Sequence, residues 1–354
     1  MERTRKVLYE SATIIIMGVV IALLITGAMR YLHKPTIKEF QEQYTGHPLE
    51  EQVTVADRYL NSFSAGELNK SIEDQNAEGF CHSQAHALGR AVYKRYPNLS
   101  DAIRQCGNAC TFGCFHGVLM EMFSTESDSL GGVIEAVTPA EYIRSVQTVA
   151  KDLCDRPEVS SAVKARYCFH GLGHVFGYLN GANLNGGLAS CAIYSDAYAG
   201  LYCRSGVFME YLFSTSSAKI LYTKGPEPCD AYPAYTNKCY RYKAYGWLKV
   251  WGGLAPALKA CDTFGANTLL CISNTAEAAA TPVLLAKDQG FEEMCGTLLG
   301  KKREACIEGA IMKIIDLNNG DDSEHICDVV APDYRAACLG VRGRYQADMF
   351  YEAK

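Results

Sequence analysis

The amino-acid sequence predicts an all-α protein: a disulfide-stapled array of helical hairpins, an α-solenoid or α/α superhelix, behind one N-terminal transmembrane helix. Three observations support this prediction. Cysteines recur in pairs at near-even intervals, apolar residues recur at helical spacing in segments such as EGAIMKIIDL and VFMEYLF, and one uncharged apolar run stands near the N-terminus. From residue 80 onward there is no convincing alternation of period two, the pattern typical of strands.

The cysteine pairs define the repeat. From Cys154 onward each pair encloses a short stretch, and the second members recur about every 32 to 36 residues. A fixed period in this range is typical of stacked units of two helices, each packed on its neighbours. We therefore expect one elongated or curved domain of about seven or eight units. The predicted disulfides are Cys154–Cys168, Cys191–Cys203, Cys229–Cys239, Cys261–Cys271, Cys295–Cys306 and Cys327–Cys338.

The 16 cysteines also indicate the compartment. An even count at regular spacing favours disulfides, which persist outside the cytoplasm, in the periplasm or the extracellular space. By analogy with the later pairs we expect a Cys106–Cys114 bond, and the pairing of Cys81 and Cys110 stays open. The alternative is metal binding by the thiolates of Cys106, Cys110 and Cys114, but so regular an array is better explained by disulfides.

The N-terminal segment ATIIIMGVVIALLITGAM, at 12–29, carries no charge and is about long enough to cross a bilayer as a helix. A cleaved signal peptide is the alternative, because basic residues precede the run. The long apolar stretch and the poor cleavage pattern favour an uncleaved anchor, and the cysteines place the C-terminal part of the chain outside the cytoplasm. The predicted organisation is a cytoplasmic tail at 1–11, the anchor at 12–29, a stalk at 30–50 and an extracytoplasmic repeat domain at 51–354.

A block of two units is duplicated in tandem. FCHSQAHALGRAVY, from residue 80, resembles YCFHGLGHVFGYLN, from residue 167, and both contain His-x3-His-x2-Gly. Downstream, GCFHGVLMEMFST and YCRSGVFMEYLFST share Cys-x2-Gly-Val-x-Met-Glu. The offset is 88 residues between His82 and His170, and 89 between Cys114 and Cys203. The later units keep the cysteines and lose the histidines.

Five of the eight histidines fall inside this block. Residues four apart lie on one face of a helix, so each His-x3-His pair can present two imidazoles to one ion. Stacked units would bring the pairs onto one surface, and imidazole suits zinc, copper and iron. The alternatives are histidines hydrogen-bonded in a packed core and a pH-responsive surface. The predicted metal ligands are His82, His86, His116, His170 and His174.

Two glutamates occupy matched positions in the two copies. Glu121 and Glu210 are candidate carboxylate ligands or general bases, and the alternative is a bond to a neighbouring helix end. Glu121 stands five residues after His116, about 140° round an ideal helix, so these two do not share a face. No catalytic residue can be assigned from the sequence. Glycines three residues after a cysteine predict close helix approach: Gly117, Gly171, Gly206 and Gly309.

Other ligands and partners have weaker support. The net charge of −5, without a basic stripe, argues against nucleic acid. There is no nucleotide-binding signal, and no Cys-x2-Cys-His motif for covalent haem. Aromatic residues concentrated at 222–251 could stack on a glycan or a protein partner, or fill space between helices.

In broad design, a helical-repeat array with duplicated histidine pairs is similar to deoxyhypusine hydroxylase, a family that holds a di-iron site between two halves of a HEAT-like superhelix. The similarity is architectural. That family uses His-Glu dipeptides and works in the cytosol, whereas this chain has no His-Glu and carries a cysteine pattern typical of disulfides.

These observations lead to one leading hypothesis and two alternatives. The leading hypothesis is a membrane-anchored, extracytoplasmic protein with a histidine-rich metal site, suited to a metalloenzyme such as an oxidase or hydrolase. The first alternative is a non-catalytic scaffold that binds a protein or glycan. The second is an accessory subunit of a membrane protein complex.

Overall fold

The computed structural model describes residues 34–351 and Met17, with gaps at 76–80, 130–137, 182, 214–217, 282–284, 286–288, 318–326 and 329. The predicted tail and anchor therefore lie outside the described residues, apart from Met17. In the part that is described, no helix is both long enough and apolar enough to span a bilayer.

All regular elements in the described ranges are helices, which confirms the all-α prediction. Short 3-10 helices lie at the joints, at Ala109–Phe112, Leu153–Asp155, Cys191–Ile193, Cys229–Ala231, Pro233–Tyr235, Cys261–Asn267 and Pro332–Tyr334. The α-helices are α1 (Ile37–Tyr44), α2 (Leu49–Tyr59), α3 (Ala65–Gln75), α4 (Cys81–Arg95), α5 (Leu99–Cys106), α6 (Gly113–Ser129), α7 (Pro139–Ala150), α8 (Pro157–Ser160), α9 (Ala165–Leu179), α10 (Leu184–Ser190), α11 (Ala197–Phe213), α12 (Ala218–Leu221), α13 (Thr236–Trp251), α14 (Leu254–Ala260), α15 (Thr268–Ala279), α16 (Gly290–Cys295), α17 (Gly300–Leu317) and α18 (Arg335–Tyr351).

The first packed helix lies inside the segment predicted to be a stalk. α1 begins at a capping box, in which the Thr36 hydroxyl accepts from the Glu39 backbone N–H and the Glu39 carboxylate accepts from that of Thr36. Phe40 and Tyr44, four residues apart on one face, are fully buried in the hydrophobic cluster of the N-terminal helices. The packed part of the chain thus begins before residue 51, where the sequence placed its boundary.

The long helices pack in chain order. α4 lies on α6, α6 on α9, α9 on α11, and α11, α13, α15, α17 and α18 continue the succession. Three of the four glycines that stand three residues after a cysteine bring neighbouring backbones together, and the fourth, Gly171, meets side chains instead. A Cβ atom added at Gly117 or Gly206 would lie 2.0 Å from the carbonyl oxygen of His86 or His170, respectively, and one at Gly309 would lie 1.9 Å from that of Ser273.

Disulfides close the joints between these helices. The structure bonds the six pairs expected from spacing and also Cys106–Cys114. The remaining bond joins Cys81 to Cys110, and no cysteine is free. The thiolate alternative at Cys106, Cys110 and Cys114 is therefore wrong, because disulfide sulfur has no thiolate to offer a metal. In the chain-entropy model, each loop of 10 to 14 residues contributes about 3 kcal/mol.

Candidate metal centre

Five histidines from three helices form one cluster. α4 supplies His82 and His86, α6 supplies His116, and α9 supplies His170 and His174. Neighbouring rings are close: the centroids of His86 and His174 are 4.5 Å apart, and those of His82 and His116 are 4.9 Å apart. The structure thus brings together all five histidines that the duplicated motif singled out.

Small residues in the sequence allow this convergence. Gly117 of α6 packs on the backbone of His86, and Gly206 of α11 packs on the backbone of His170. Gly171 of α9 faces the ring of His116, since a Cβ there would lie 2.6 Å from its Cδ2 atom. Larger side chains would hold these helices apart, so the glycines set how near the imidazoles come.

Four of the histidines form a group suited to one ion. One ring nitrogen from each of His82, His116, His170 and His174 lies within 4.8 Å of the others. Two contacts are especially short: His82 Nε2 is 3.1 Å from His116 Nδ1, and His170 Nε2 is 3.1 Å from His174 Nε2. Two imidazole nitrogens on one tetrahedral zinc ion lie roughly 3.3 Å apart, given zinc–nitrogen bonds of about 2.0–2.1 Å.

Backbone acceptors determine which ring nitrogens carry protons. His82 Nδ1 lies 3.0 Å from the carbonyl oxygen of Cys110, and His116 Nε2 lies 2.8 Å from that of Tyr167. A carbonyl only accepts, so these nitrogens must donate. In the neutral rings, His82 Nε2 and His116 Nδ1 then present lone pairs that face each other.

A carboxylate orients the ring of His174 in the same way. His174 Nδ1 lies 3.0 Å from Glu210 Oε2, which leaves the Nε2 lone pair directed at His170. Metal-ligating histidines commonly donate their other N–H to a carboxylate or carbonyl, which fixes the tautomer. The facing lone pairs of His82 Nε2 and His116 Nδ1 repel each other, and a cation between them turns this repulsion into attraction. The residues present therefore fit a transition-metal ion.

The turn that supplies the Cys110 carbonyl has an unusual backbone. Cys110, Thr111 and Phe112 have φ angles of 52°, 53° and 61°, in the left-handed region that non-glycine residues rarely adopt. Each such residue costs on the order of 1–3 kcal/mol. The Cys81–Cys110 bond and a 3.1 Å hydrogen bond from the Cys110 N–H to Glu73 hold the turn in place. No sequence signal marks this carbonyl, or that of Tyr167, as part of the site.

The two candidate glutamates have different surroundings. Glu210 lies within 4.8 Å of nitrogens of His86 and His174, as a second group of potential ligand atoms. Glu121 belongs to neither group of histidines: it is buried and paired with Arg90 at 2.8 Å and Lys94 at 3.5 Å. Glu121 stands five positions after His116 on α6, so its side chain points away from the histidine cluster and towards the two basic residues.

The aromatic segment divides between core and cavity. Tyr240, Tyr242 and Trp247 are buried, and the Tyr242 hydroxyl bonds to Ser205 at 2.8 Å. Ser205 occupies the position of His116 in the second copy, so a tyrosine–serine bond stands where the first copy has an imidazole. Tyr222 and Tyr245 line a cavity of about 620 Å³ beside α12.

Burial keeps three of the five histidines uncharged. The pKa of His86, His116 and His170 lies well below its ordinary value, first because the rings are withdrawn from water and then because neighbouring histidines disfavour another positive charge. Neutral imidazole is the form that binds metal.

The metal-free protein should lose stability as the pH falls below about 6.5. Unfolding returns these three rings to a pKa near 6.5, so the unfolded state then binds protons that the folded state excludes. The free energy of unfolding should fall by up to about 1.4 kcal/mol per pH unit for each ring. Urea denaturation of chelator-treated protein with intact disulfides, between pH 8 and 5, should show constant stability above pH 7 and a steep loss below 6.5. A denaturation midpoint that is independent of pH across this window would contradict it.

No family model matches the chain. No curated protein and no solved structure is significantly similar to it. Its function is therefore inferred from the chemistry of the site.

Proposed function

We propose that this protein is a membrane-anchored, extracytoplasmic metalloprotein whose buried histidine cluster binds zinc, copper or iron. The observation that carries the proposal is the convergence of four ring nitrogens within 4.8 Å, with the tautomers of His82 and His116 set by backbone carbonyls. A histidine that serves only core packing uses its nitrogens in hydrogen bonds. Here His82 Nε2 and His116 Nδ1 face each other with no proton to share when the rings are neutral.

The same donor set limits the choice of ion. Imidazole nitrogen suits zinc, copper, iron and nickel, whereas calcium and magnesium take oxygen ligands. His116 and His174 are almost fully buried, which excludes bulk water and favours an ion held tightly by protein nitrogens. Its charge is balanced in part by Glu210, through the hydrogen bond to His174.

The wider architecture that we propose is a solenoid-like array of helical hairpins at 51–354, preceded by a cytoplasmic tail at 1–11, an anchor at 12–29 and a segment at 30–50 whose helix α1 packs against the array. Its support is the succession of long helices in contact and the disulfide at each joint. Eight disulfides indicate an oxidising environment, periplasmic or extracellular. The apolar run at 12–29 supports the anchor and hence the membrane as a partner.

The activity class that this site suits best is metal-dependent oxidation or hydrolysis. The second candidate is a binding scaffold for a protein or glycan, or an accessory subunit of a membrane complex. The cavity beside Tyr222 and Tyr245 favours the scaffold, because aromatic walls suit stacking. For either candidate function, the net charge of −5 argues against nucleic acid as a partner.

Metal analysis of the full-length protein tests the proposal. Wild type offered zinc, copper or iron separately should retain at least one ion per chain after dialysis. His170→Ala should lower the metal affinity more than about 10-fold. Removing only the hydrogen-bond partner of a ligand typically costs about 10-fold or more, and removing the ligand itself should cost more than that. The matched control is His47→Ala, because the His47 ring is exposed, lies 2.8 Å from Glu51 and is not part of the cluster. Equally negligible metal in wild type and His170→Ala, with all three metals, would reject the proposal.

A further inference from the structure

We infer that the histidine cluster is a two-ion site, in which His174 bridges a first ion held by four histidines and a second ion held by His86, His174 and Glu210. This inference rests on the proposed function and extends it to a second metal site. The two sets of potential ligand atoms share one residue, His174, and each set lies within 4.8 Å.

The first supporting observation is the orientation of His174. Its Nε2 atom lies 3.1 Å from His170 Nε2, in the four-histidine group. Its Nδ1 atom lies 3.0 Å from Glu210 Oε2, in the second group. One imidazole thus has a nitrogen directed into each group, which is the geometry that a bridging ring requires.

The second observation concerns His86. His86 is only 5% exposed, and its buried Nε2 atom has no hydrogen-bond partner among the residues that the structure describes. Buried polar atoms in folded proteins nearly always have a partner, and an exception calls for an explanation such as an ion. His86 is not in the four-histidine group, so a single ion there leaves this nitrogen unexplained.

The two sites differ in how complete they are. Four histidines can close a tetrahedral shell, whereas two histidines and a glutamate are three ligands that leave a fourth position open for water. The exposure of the side chains to solvent agrees with this difference, since that of Glu210 is 17% exposed and that of His174 is 1% exposed. The second site would therefore take a divalent transition ion and present it to water or to a small polar substrate.

Proton balance follows from the bridge. With one ion bound, the Nδ1 proton of His174 lies in the hydrogen bond to Glu210. The second ion takes the place of that proton, so a new metal–nitrogen bond forms, the N–H bond breaks and the proton leaves to solvent. The ring becomes an imidazolate, and its negative charge together with that of Glu210 offsets the charge of the second ion.

Stoichiometry separates this inference from the proposed function. Full-length wild type titrated with Zn²⁺ should bind two ions per chain, and His86→Ala and Glu210→Gln should each bind one. Glu210→Gln keeps the size of the side chain, and an unchanged far-ultraviolet circular dichroism spectrum shows that the variant is folded. One ion in wild type overturns the two-ion inference and leaves the proposed function standing, whereas none overturns both. Two ions in both variants would overturn the assignment of the second site.

A spectroscopic measurement on wild type tests the bridge directly. Loaded with two Cu²⁺ ions per chain, the protein should give an electron paramagnetic resonance signal that integrates to far fewer than two spins, because an imidazolate bridge couples the two ions. His86→Ala, loaded with one Cu²⁺, should give a full single-spin signal. Two independent, fully integrating copper signals in wild type would show that His174 does not bridge the ions.

Discussion

Alanine in place of Gly206 is expected to destabilise the fold by about 3 kcal/mol or more and to remove metal binding with it. The added Cβ would lie 2.0 Å from the carbonyl oxygen of His170 and 3.0 Å from the Cα of Gly173. Both are backbone atoms, so no change of rotamer relieves the clash, and α9 and α11 must move apart. His170 moves with its helix, out of the cluster that depends on its position.

Urea denaturation and zinc binding of the same preparation measure both effects. The matched control is Gly66→Ala, on α3, where an added Cβ meets nothing within 4 Å in the described part of the chain. Alanine favours a helix over glycine by up to about 1 kcal/mol, so this variant should be as stable as wild type or slightly more stable, with unchanged zinc affinity. A Gly206→Ala protein that keeps its denaturation midpoint would mean that the two helices do not approach as closely as described.

The sequence predicted the parts of this molecule that depend on spacing. Cysteines at a regular period identified the disulfides from Cys154 onward, and an i, i+4 pattern in two copies identified the histidines. These features are local, because helix geometry and short loops determine them. The Cys81–Cys110 bond spans 29 residues and depends on how α4 meets the turn before α6, which spacing alone does not determine.

The two glutamates show where duplication misleads. Glu121 and Glu210 stand at matched positions, yet only Glu210 joins a group of potential metal ligands. The difference lies four residues beyond the second histidine of each motif, where the first copy has Arg90 and the second has Tyr178. Arg90 pairs with Glu121 at 2.8 Å, whereas Tyr178 is 41% exposed and offers Glu210 no charge. Comparing these two positions in the sequence could have separated the roles of the glutamates.

Replacing Glu121 with alanine should therefore cost about 3 kcal/mol of stability and leave metal binding intact. The Arg90 and Glu121 side chains are 8% and 3% exposed, and removing one partner of a buried pair typically costs 3–5 kcal/mol because the other charge stays buried. The lower end of this range applies, since Arg90 keeps its ion pair with Glu50, at 2.7 Å. Glu50 provides the matched control on the same arginine: its side chain is 70% exposed, and Glu50→Ala should cost less than about 1 kcal/mol.

Chemical denaturation of Glu121→Ala and Glu50→Ala, with zinc titration of each, distinguishes a structural carboxylate from a ligand. The expected pattern is a large stability difference between the variants with zinc stoichiometry and affinity equal to those of wild type, because Glu121 lies in neither group of ligand atoms. A folded Glu121→Ala protein that loses an ion, while Glu50→Ala retains it, would show that Glu121 is a metal ligand. Equal stability of the two variants would instead show that the buried pair contributes no more than the exposed one.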